Sequence, residues 1–164
     1  MVQDLPVSMS TPRASSRWKY DVFLSFRGMD TRYGFISHLY DALIRKGIFT
    51  FRDEEKLERG KSIGSELLKA IEQSRFAIVV LSRNYASSTW CLEELAKIVK
   101  CKEEMGLIVL PVFYHVHPSD VRKQSGTFQN DFAKHEAASR GEVKTWRDAM
   151  IEVANAAGWH LDER

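Results

Sequence analysis

Two cysteines, Cys91 and Cys101, are all that a chain of 164 residues carries. Both fall on one predicted helix, where a rise of ~1.5 Å per residue sets their backbones ~15 Å apart. A disulfide needs Cα atoms within ~7 Å, so the two cannot pair, and a reducing compartment is the simpler reading. Two thiols are also too few for a structural zinc site unless histidines join them. No apolar run approaches the ~18 residues of a membrane-spanning helix. With 9 Gly and 4 Pro, collagen-like and low-complexity chains are excluded. Neither sign of charge dominates: 24 Lys and Arg against 22 Asp and Glu leave +2, which gives no support to whole-surface binding of nucleic acid or anionic membrane. Residues 1–17 hold no continuous apolar stretch of the kind a signal peptide needs, and Val2 removes the myristoylation motif. Their Ser, Thr and Pro content reads as a disordered tail, with a weak transit-peptide alternative carried by Arg13, Arg17 and Lys19.

Order is expected from residue 18. The hydrophobic share of 44% is enough for one core. Tyr20–Phe26 and Gly47–Phe51 read as strands. Phe76–Ser82 and Leu107–Tyr114 are near-continuous apolar runs, as in strands buried on both faces of a parallel sheet. Helical stripes lie between them. Phe35, Ile36, Leu39, Ala42 and Leu43 form the first, with Asp30 or Thr31 as its cap. Ile63, Leu67, Ala70 and Ile71 form the second, and Cys91, Leu92, Leu95, Ile98 and Val99 the third. Val143, Trp146, Met150, Val153 and Ala157 form the last, closed by Gly158. The stretch Pro118–Glu136 is less periodic and has room for a short helix and a short fifth strand. The alternation predicts an α/β, flavodoxin-like, three-layer domain with a central parallel sheet in the order 2-1-3-4. Ligands bind such folds at the carboxyl ends of the first and third strands, where Phe26–Thr31 and Asn84–Glu94 converge and the loop Asp53–Ser62 can close over them.

Several motifs fail on inspection. Gly60-Lys61-Ser62 resembles the end of a phosphate-binding P-loop, but Glu55 stands where the motif needs glycine. No GxGxxG follows the first strand. A phospho-acceptor acid is missing from the end of the third strand, where Ser82 and Arg83 stand. His115 and His117 alternate as two metal ligands on an extended segment would, yet no third ligand has suitable spacing, and surface or turn histidines are the better reading. His38 reads equally as an exposed residue or as part of a contact surface. Glu93 stands four residues before Lys97, a solvated ion-pair spacing. Glu94 shares a helical face with Trp90 and Cys91. It reads either as a first-turn acid favoured by the helix dipole, worth at most ~1 kcal/mol, or as a carboxylate poised beside an indole in a cleft.

The segments YDVFLSFRGMDTR, DEEKLERGKSI, FAIVVLSRNYASSTWCLEEL and LPVFYHVHPSDVRKQ, taken in order, resemble a plant Toll/interleukin-receptor (TIR) domain, as found at the amino terminus of nucleotide-binding, leucine-rich-repeat immune receptors. The resemblance places the domain at residues 18–161 and the start of a linker at 162–164. It implies a self-associating domain that cleaves NAD+ as substrate, with no cofactor and no metal, and releases nucleotides that signal to lipase-like immune proteins. On its motifs, Glu94 would be catalytic. Phe26, Arg27, Gly28, Met29, Asp30, Thr31, Gly60, Ser62, Ile63 and Trp90 would contact NAD+, and Ser37 and His38 would mark a TIR–TIR contact building dimers to tetramers. Cys91 would serve an alternative activity, a nucleic-acid-dependent 2',3'-cyclic nucleotide synthetase. A non-catalytic TIR–TIR adaptor is the other alternative. A cytoplasmic location is implied, with the nucleus also open. Met29 and His117 depart from the family pattern, each standing where an acid is usual.

Overall fold

The computed structural model describes residues 18–52, 64–138 and 141–161. Five parallel strands form one sheet in the order β2-β1-β3-β4-β5: β1 (Tyr20–Ser25), β2 (Thr50–Arg52), β3 (Ser74–Leu81), β4 (Ile108–Tyr114) and β5 (Trp159–Leu161). The helices are α1 (Gly28–Thr31), α2 (Ser37–Arg45), α3 (Ser65–Glu72), α4 (Thr89–Met105), α5 (Pro118–Lys123), α6 (Thr127–Ala137) and α7 (Val143–Ala154). A π-helical turn, Arg32–Ile36, links α1 to α2, and a 3-10 turn, Tyr85–Ser87, precedes α4.

Side chains alternate across each strand, so one sheet serves two cores. Phe23, Ala77, Val79, Leu81, Val109 and Phe113 pack with residues of α3, α4 and α7 on one face. Val22, Leu24, Val80 and Val112 pack on the other face with Ile36 and with Leu39, Tyr40 and Leu43 of α2. That two-sided burial is why β3 and β4 read as unbroken apolar runs. It also fixes where Ser25 points. Two residues beyond Phe23, it lies on the α4 face and is fully buried.

Four local expectations are corrected. The second strand starts at Thr50, because Lys46–Ile48 are spent on a turn: Gly47 takes a left-handed φ of 80° and the Ile48 amide donates to the Leu43 carbonyl at 3.0 Å. Neither Asp30 nor Thr31 caps the first long helix. Both lie inside α1, and the Thr31 hydroxyl donates back to the Arg27 carbonyl at 3.1 Å. Pro118–Glu136 contains two helices and no strand. The fifth strand is Trp159–Leu161, beside β4. Gly158 therefore does not close α7, which ends at Ala154. A Cβ at Gly158 would collide with the Pro111 carbonyl, so its bare backbone lets the chain pass close to β4 before β5 begins. Of the second predicted stripe, Ile63 lies outside the described residues, as do residues 1–17, the loop Asp53–Ser62 and residues 162–164.

Candidate active site

Ser88 starts α4 by accepting the Cys91 amide at 3.1 Å, an N-cap that sets the phase of the helix. In that phase Glu94 turns toward the end of β1 and is 2% exposed. Ser25 Oγ donates to Glu94 Oε1 at 2.7 Å, and Trp90 Nε1, one turn back, donates to Glu94 Oε2 at 3.1 Å. Tyr85 OH lies 2.7 Å from Ser25 Oγ and 3.2 Å from the Cys91 carbonyl. Each hydroxyl has one proton. Ser25 spends its own on Glu94, so the short contact with Tyr85 is one in which Ser25 accepts, and the single Tyr85 proton is shared between Ser25 Oγ and the Cys91 carbonyl. The chain of donors thus runs Tyr85 to Ser25 to Glu94, with the indole adding a second donor, an arrangement that suits a carboxylate anion. Burial, with Cys91 and Glu94 adding to it, pushes the Tyr85 hydroxyl well above its usual pKa, which keeps it a neutral donor.

The strand ends are stapled by Asp30. Its Oδ2 accepts from Ser82 Oγ at 2.5 Å and from the Asn84 amide at 2.9 Å, and its Oδ1 accepts from Asn84 Nδ2 at 3.0 Å. Three donors from the loop after β3 thereby tie α1 to the segment that carries Tyr85. A second tie joins Cys91 Sγ to the Phe26 carbonyl at 3.5 Å. The two segments that strand order alone brings to the switch point are fastened there by side chains.

The TIR domain family matches residues 19–164. The chain belongs to that family. It is 55% identical over 158 residues to disease resistance protein RPV1 of Vitis rotundifolia, covering 96% of this chain and 11% of that protein. It is 53% identical over 153 residues to TMV resistance protein N of Nicotiana glutinosa, covering 92% of this chain and 13% of that protein. Among solved structures, the TIR domains of the activated Roq1 resistosome, which directly recognises the pathogen effector XopQ, align at a TM-score of 0.80 and 59% identity, over 87% of each chain. The chain thus spans little more than a tenth of the disease-resistance proteins it resembles.

Within this TIR domain, Glu94, Trp90, Phe26 and Cys91 are joined by the contacts above, and Arg27, Gly28, Met29, Asp30 and Thr31 follow directly on β1. Phe26 and Thr31 are buried, so any ligand there meets backbone or neighbouring side chains before it meets theirs. Neither Cys91 nor Cys101 is in a disulfide, and both are buried. Gly60, Ser62 and Ile63 lie outside the described residues. Ser37 and His38 sit on α2, across the sheet from Glu94, with His38 exposed. His115 takes a left-handed φ of 57°, and His117 caps α5 by accepting the Ser119 amide on Nδ1 at 3.1 Å, so the two histidines occupy a turn and not an extended segment. Lys97 reaches across to Glu72 of α3 at 2.6 Å, which corrects its expected pairing with Glu93. A cavity of about 700 Å³ opens beside Trp90, between Phe51 of β2, Gly64 at the start of α3 and Leu67 within it. Glu94 does not line it. Sequence reasoning missed Ser25 and Tyr85. The available signal was a serine at an inward position of an otherwise apolar strand.

Proposed function

We propose that this TIR domain cleaves NAD+ to nicotinamide and an ADP-ribose-type or cyclic nucleotide, that it does so when self-associated, and that the product serves plant immune signalling. The observation that carries this reading is Glu94, buried at the switch point with both oxygens held by side-chain donors. As the nicotinamide–ribose bond breaks, the electron pair leaves with the ring, which departs neutral, and positive charge develops on the ribose. An anion fixed before the reaction stabilises that charge without reorganising. Because the leaving group starts as a cation, no second acid is needed. Water, or a hydroxyl of the same nucleotide in the cyclising variant, then supplies the new bond to the ribose carbon and loses its proton to solvent. NAD+ is the substrate, and no metal or cofactor enters. The synthetase reading draws less support from the setting of Cys91, whose thiol is buried and donates to the Phe26 carbonyl.

Self-association draws support from the Roq1 relative, whose TIR domains are seen in a resistosome. Exposed His38 on α2 is the residue through which we would disturb it. The test is release of free nicotinamide from NAD+ by protein whose assembly is followed in the same sample by light scattering. Turnover that rises with assembly and falls in parallel with it in His38→Ala supports the proposal. No nicotinamide from a fully assembled sample would leave the adaptor reading in its place.

A further inference from the structure

The turn between β3 and α4 carries Tyr85, the outer donor of the Glu94 site, and side chains of other elements grip it. Within the turn, the Tyr85 amide donates to the Ser82 carbonyl at 3.1 Å, Ser87 to Asn84 at 3.1 Å and Ser88 to Tyr85 at 3.2 Å. Asn84 stands at the cap position of the 3-10 turn, yet its side chain does not cap it. That side chain is spent on Asp30, with Nδ2 donating to Oδ1 at 3.0 Å, while the Asn84 backbone amide and the Ser82 hydroxyl both donate to Oδ2. Helix α6 holds the same turn: Thr127 Oγ1 donates to the Arg83 carbonyl at 3.2 Å, and His135 Nε2 meets the Ala86 carbonyl at 2.8 Å. Of these grips, the one from Asp30 reaches back to the strand that carries Ser25. Ser25 ends β1, and Asp30 lies in α1, the next element. Asp30 therefore ties the residues around Tyr85 to the strand end on which the Tyr85 hydroxyl lands, 2.7 Å from Ser25 Oγ.

A carboxylate only accepts, so it has nothing to offer the oxygens of a diphosphate. Three donors of this chain already take three of the about four acceptor sites on its two oxygens. We propose that Asp30 is a positioning residue: it sets the Tyr85 turn against the end of β1, so that the Tyr85 hydroxyl meets Ser25 in line with Glu94, and it does not itself contact the dinucleotide. The effect on turnover rests on the NAD+ reading above. The hold of Asp30 on the turn does not, and the experiment separates the two.

Asp30→Ala removes all three contacts. Its kcat is expected to fall about fivefold, the scale of the neutral Tyr85–Ser25 hydrogen bond that Asp30 aligns, with KM unchanged. Loss of a group that touched NAD+ would raise KM instead. Asp30→Asn removes the charge and can keep the contacts: its carbonyl oxygen accepts from Ser82 and the Asn84 backbone amide, and its NH2 donates to the Asn84 side-chain oxygen once that amide has turned over. It is expected to recover most of the lost kcat. In a Tyr85→Phe background, Asp30→Ala should leave kcat where Tyr85→Phe alone put it, because the donor that Asp30 aligns is gone. In the ligand-free domain, exchange of the Ser87 and Ser88 amides with water is expected to quicken severalfold in Asp30→Ala and to hold in Asp30→Asn. Should Asp30→Ala not fold, Ser82→Ala removes the shortest of the three donors with the carboxylate left in place, and the same changes are expected on a smaller scale. A raised KM with kcat unmoved, an Asp30→Asn as slow as Asp30→Ala, a full penalty on top of Tyr85→Phe, or unmoved Ser87 and Ser88 amides would overturn the proposal. If the wild-type domain cleaves no NAD+, the catalytic reading falls, and amide exchange alone then decides whether Asp30 holds the turn.

Discussion

Glu94 and Asp131 are both acids buried on helices at the carboxyl end of the sheet, and they are treated in opposite ways. Ser25 and Trp90 each donate to an oxygen of Glu94, and Tyr85 backs Ser25. Asp131 has one oxygen buried with no donor at all. The first arrangement holds a negative charge still, as a group that must stabilise a passing cation requires. The second leaves a buried carboxyl oxygen that nothing around it answers, and burial raises its pKa above the usual carboxylate range. Burial alone therefore does not say what an acid is for; the count of donors on its oxygens does.

The largest expected effect comes from emptying the satisfied site. Glu94→Ala should lower nicotinamide release by ~10²–10³-fold, the cost of removing a preorganised charge-stabilising group. It also strands the hydroxyl of Ser25 and the indole N–H of Trp90, so a loss of about 1–3 kcal/mol in unfolding free energy is expected; the first-turn role expected for Glu94 is corrected, since α4 begins at Thr89 and has no acid in its first turn. Glu94→Gln, which keeps the shape and one acceptor oxygen, should recover much of the stability and none of the rate. Glu93→Ala, on the neighbouring face, should keep near wild-type turnover. A dead Glu93→Ala beside an active Glu94→Ala would break the comparison at its root.

Removing a donor in place of the acceptor sharpens it. Ser25→Ala leaves Glu94 Oε1 without its partner and Tyr85 facing a methyl group. About tenfold in kcat and roughly 1–2 kcal/mol of stability are expected to go, since a hydrogen bond to a charged group is worth that much. Tyr85→Phe removes only the outer donor and should cost less on both counts. Equal effects of the two substitutions would mean that the donors do not act as a chain ending on Glu94.

Asp131 is expected to respond with the opposite sign. Its pKa is higher in the folded than in the unfolded state, so between those two values the native protein binds more protons, and its stability falls as pH rises through that window. Above the window the penalty is constant. Asp131→Asn never has it. Thermal midpoints should therefore place the variant above wild type at neutral pH, with the gap closing as pH falls through the ordinary aspartate range. A gap that widens in acid would show that the native state prefers the charged form.

How far these sites could be read from the chain depends on distance along it. The Trp90–Glu94 pair is a four-residue helical spacing and is legible. Ser25 is 60 residues from Tyr85 and 69 from Glu94, and no periodicity links them. The strands β1, β3 and β4 announce themselves because both of their faces are covered. β5 does not: it is three residues long, Trp159 is 59% exposed, and it pairs only after Gly158 has slipped past Pro111. Lys97 had an acid at helical spacing in Glu93, yet bonds Glu72 on α3, because packing of α3 on α4 sets a nearer partner than the helix itself offers. The unpartnered oxygen of Asp131 is beyond any sequence reading, since it is defined by what two other segments fail to supply.

The smallest expected effect sets the scale for the others, because it concerns an acceptor in water. His117 is exposed and caps α5 with Nδ1, accepting the Ser119 amide at 3.1 Å, with Pro118 in the first turn behind it. An aspartate in its place presents an acceptor at the same remove from the backbone, three bonds from Cα, and adds a negative charge at the positive end of the helix. Those gains are at most about 1 kcal/mol together, and α5 is only one and a half turns long, so little dipole accumulates. Against them stands the loss of the edge-to-face contact between His117 and His160, whose rings lie 5.7 Å apart. The net for His117→Asp is a gain of roughly 0.5 kcal/mol, seen as a rise of about 1–2 °C in thermal midpoint for a domain of this size, with nicotinamide release unchanged. An acceptor that water can also satisfy is worth that little; the same oxygen buried at Asp131 or Glu94 decides more because nothing else can answer it. A shift of many degrees in either direction would mean that the turn at His115–His117 carries packing whose loss outweighs the cap.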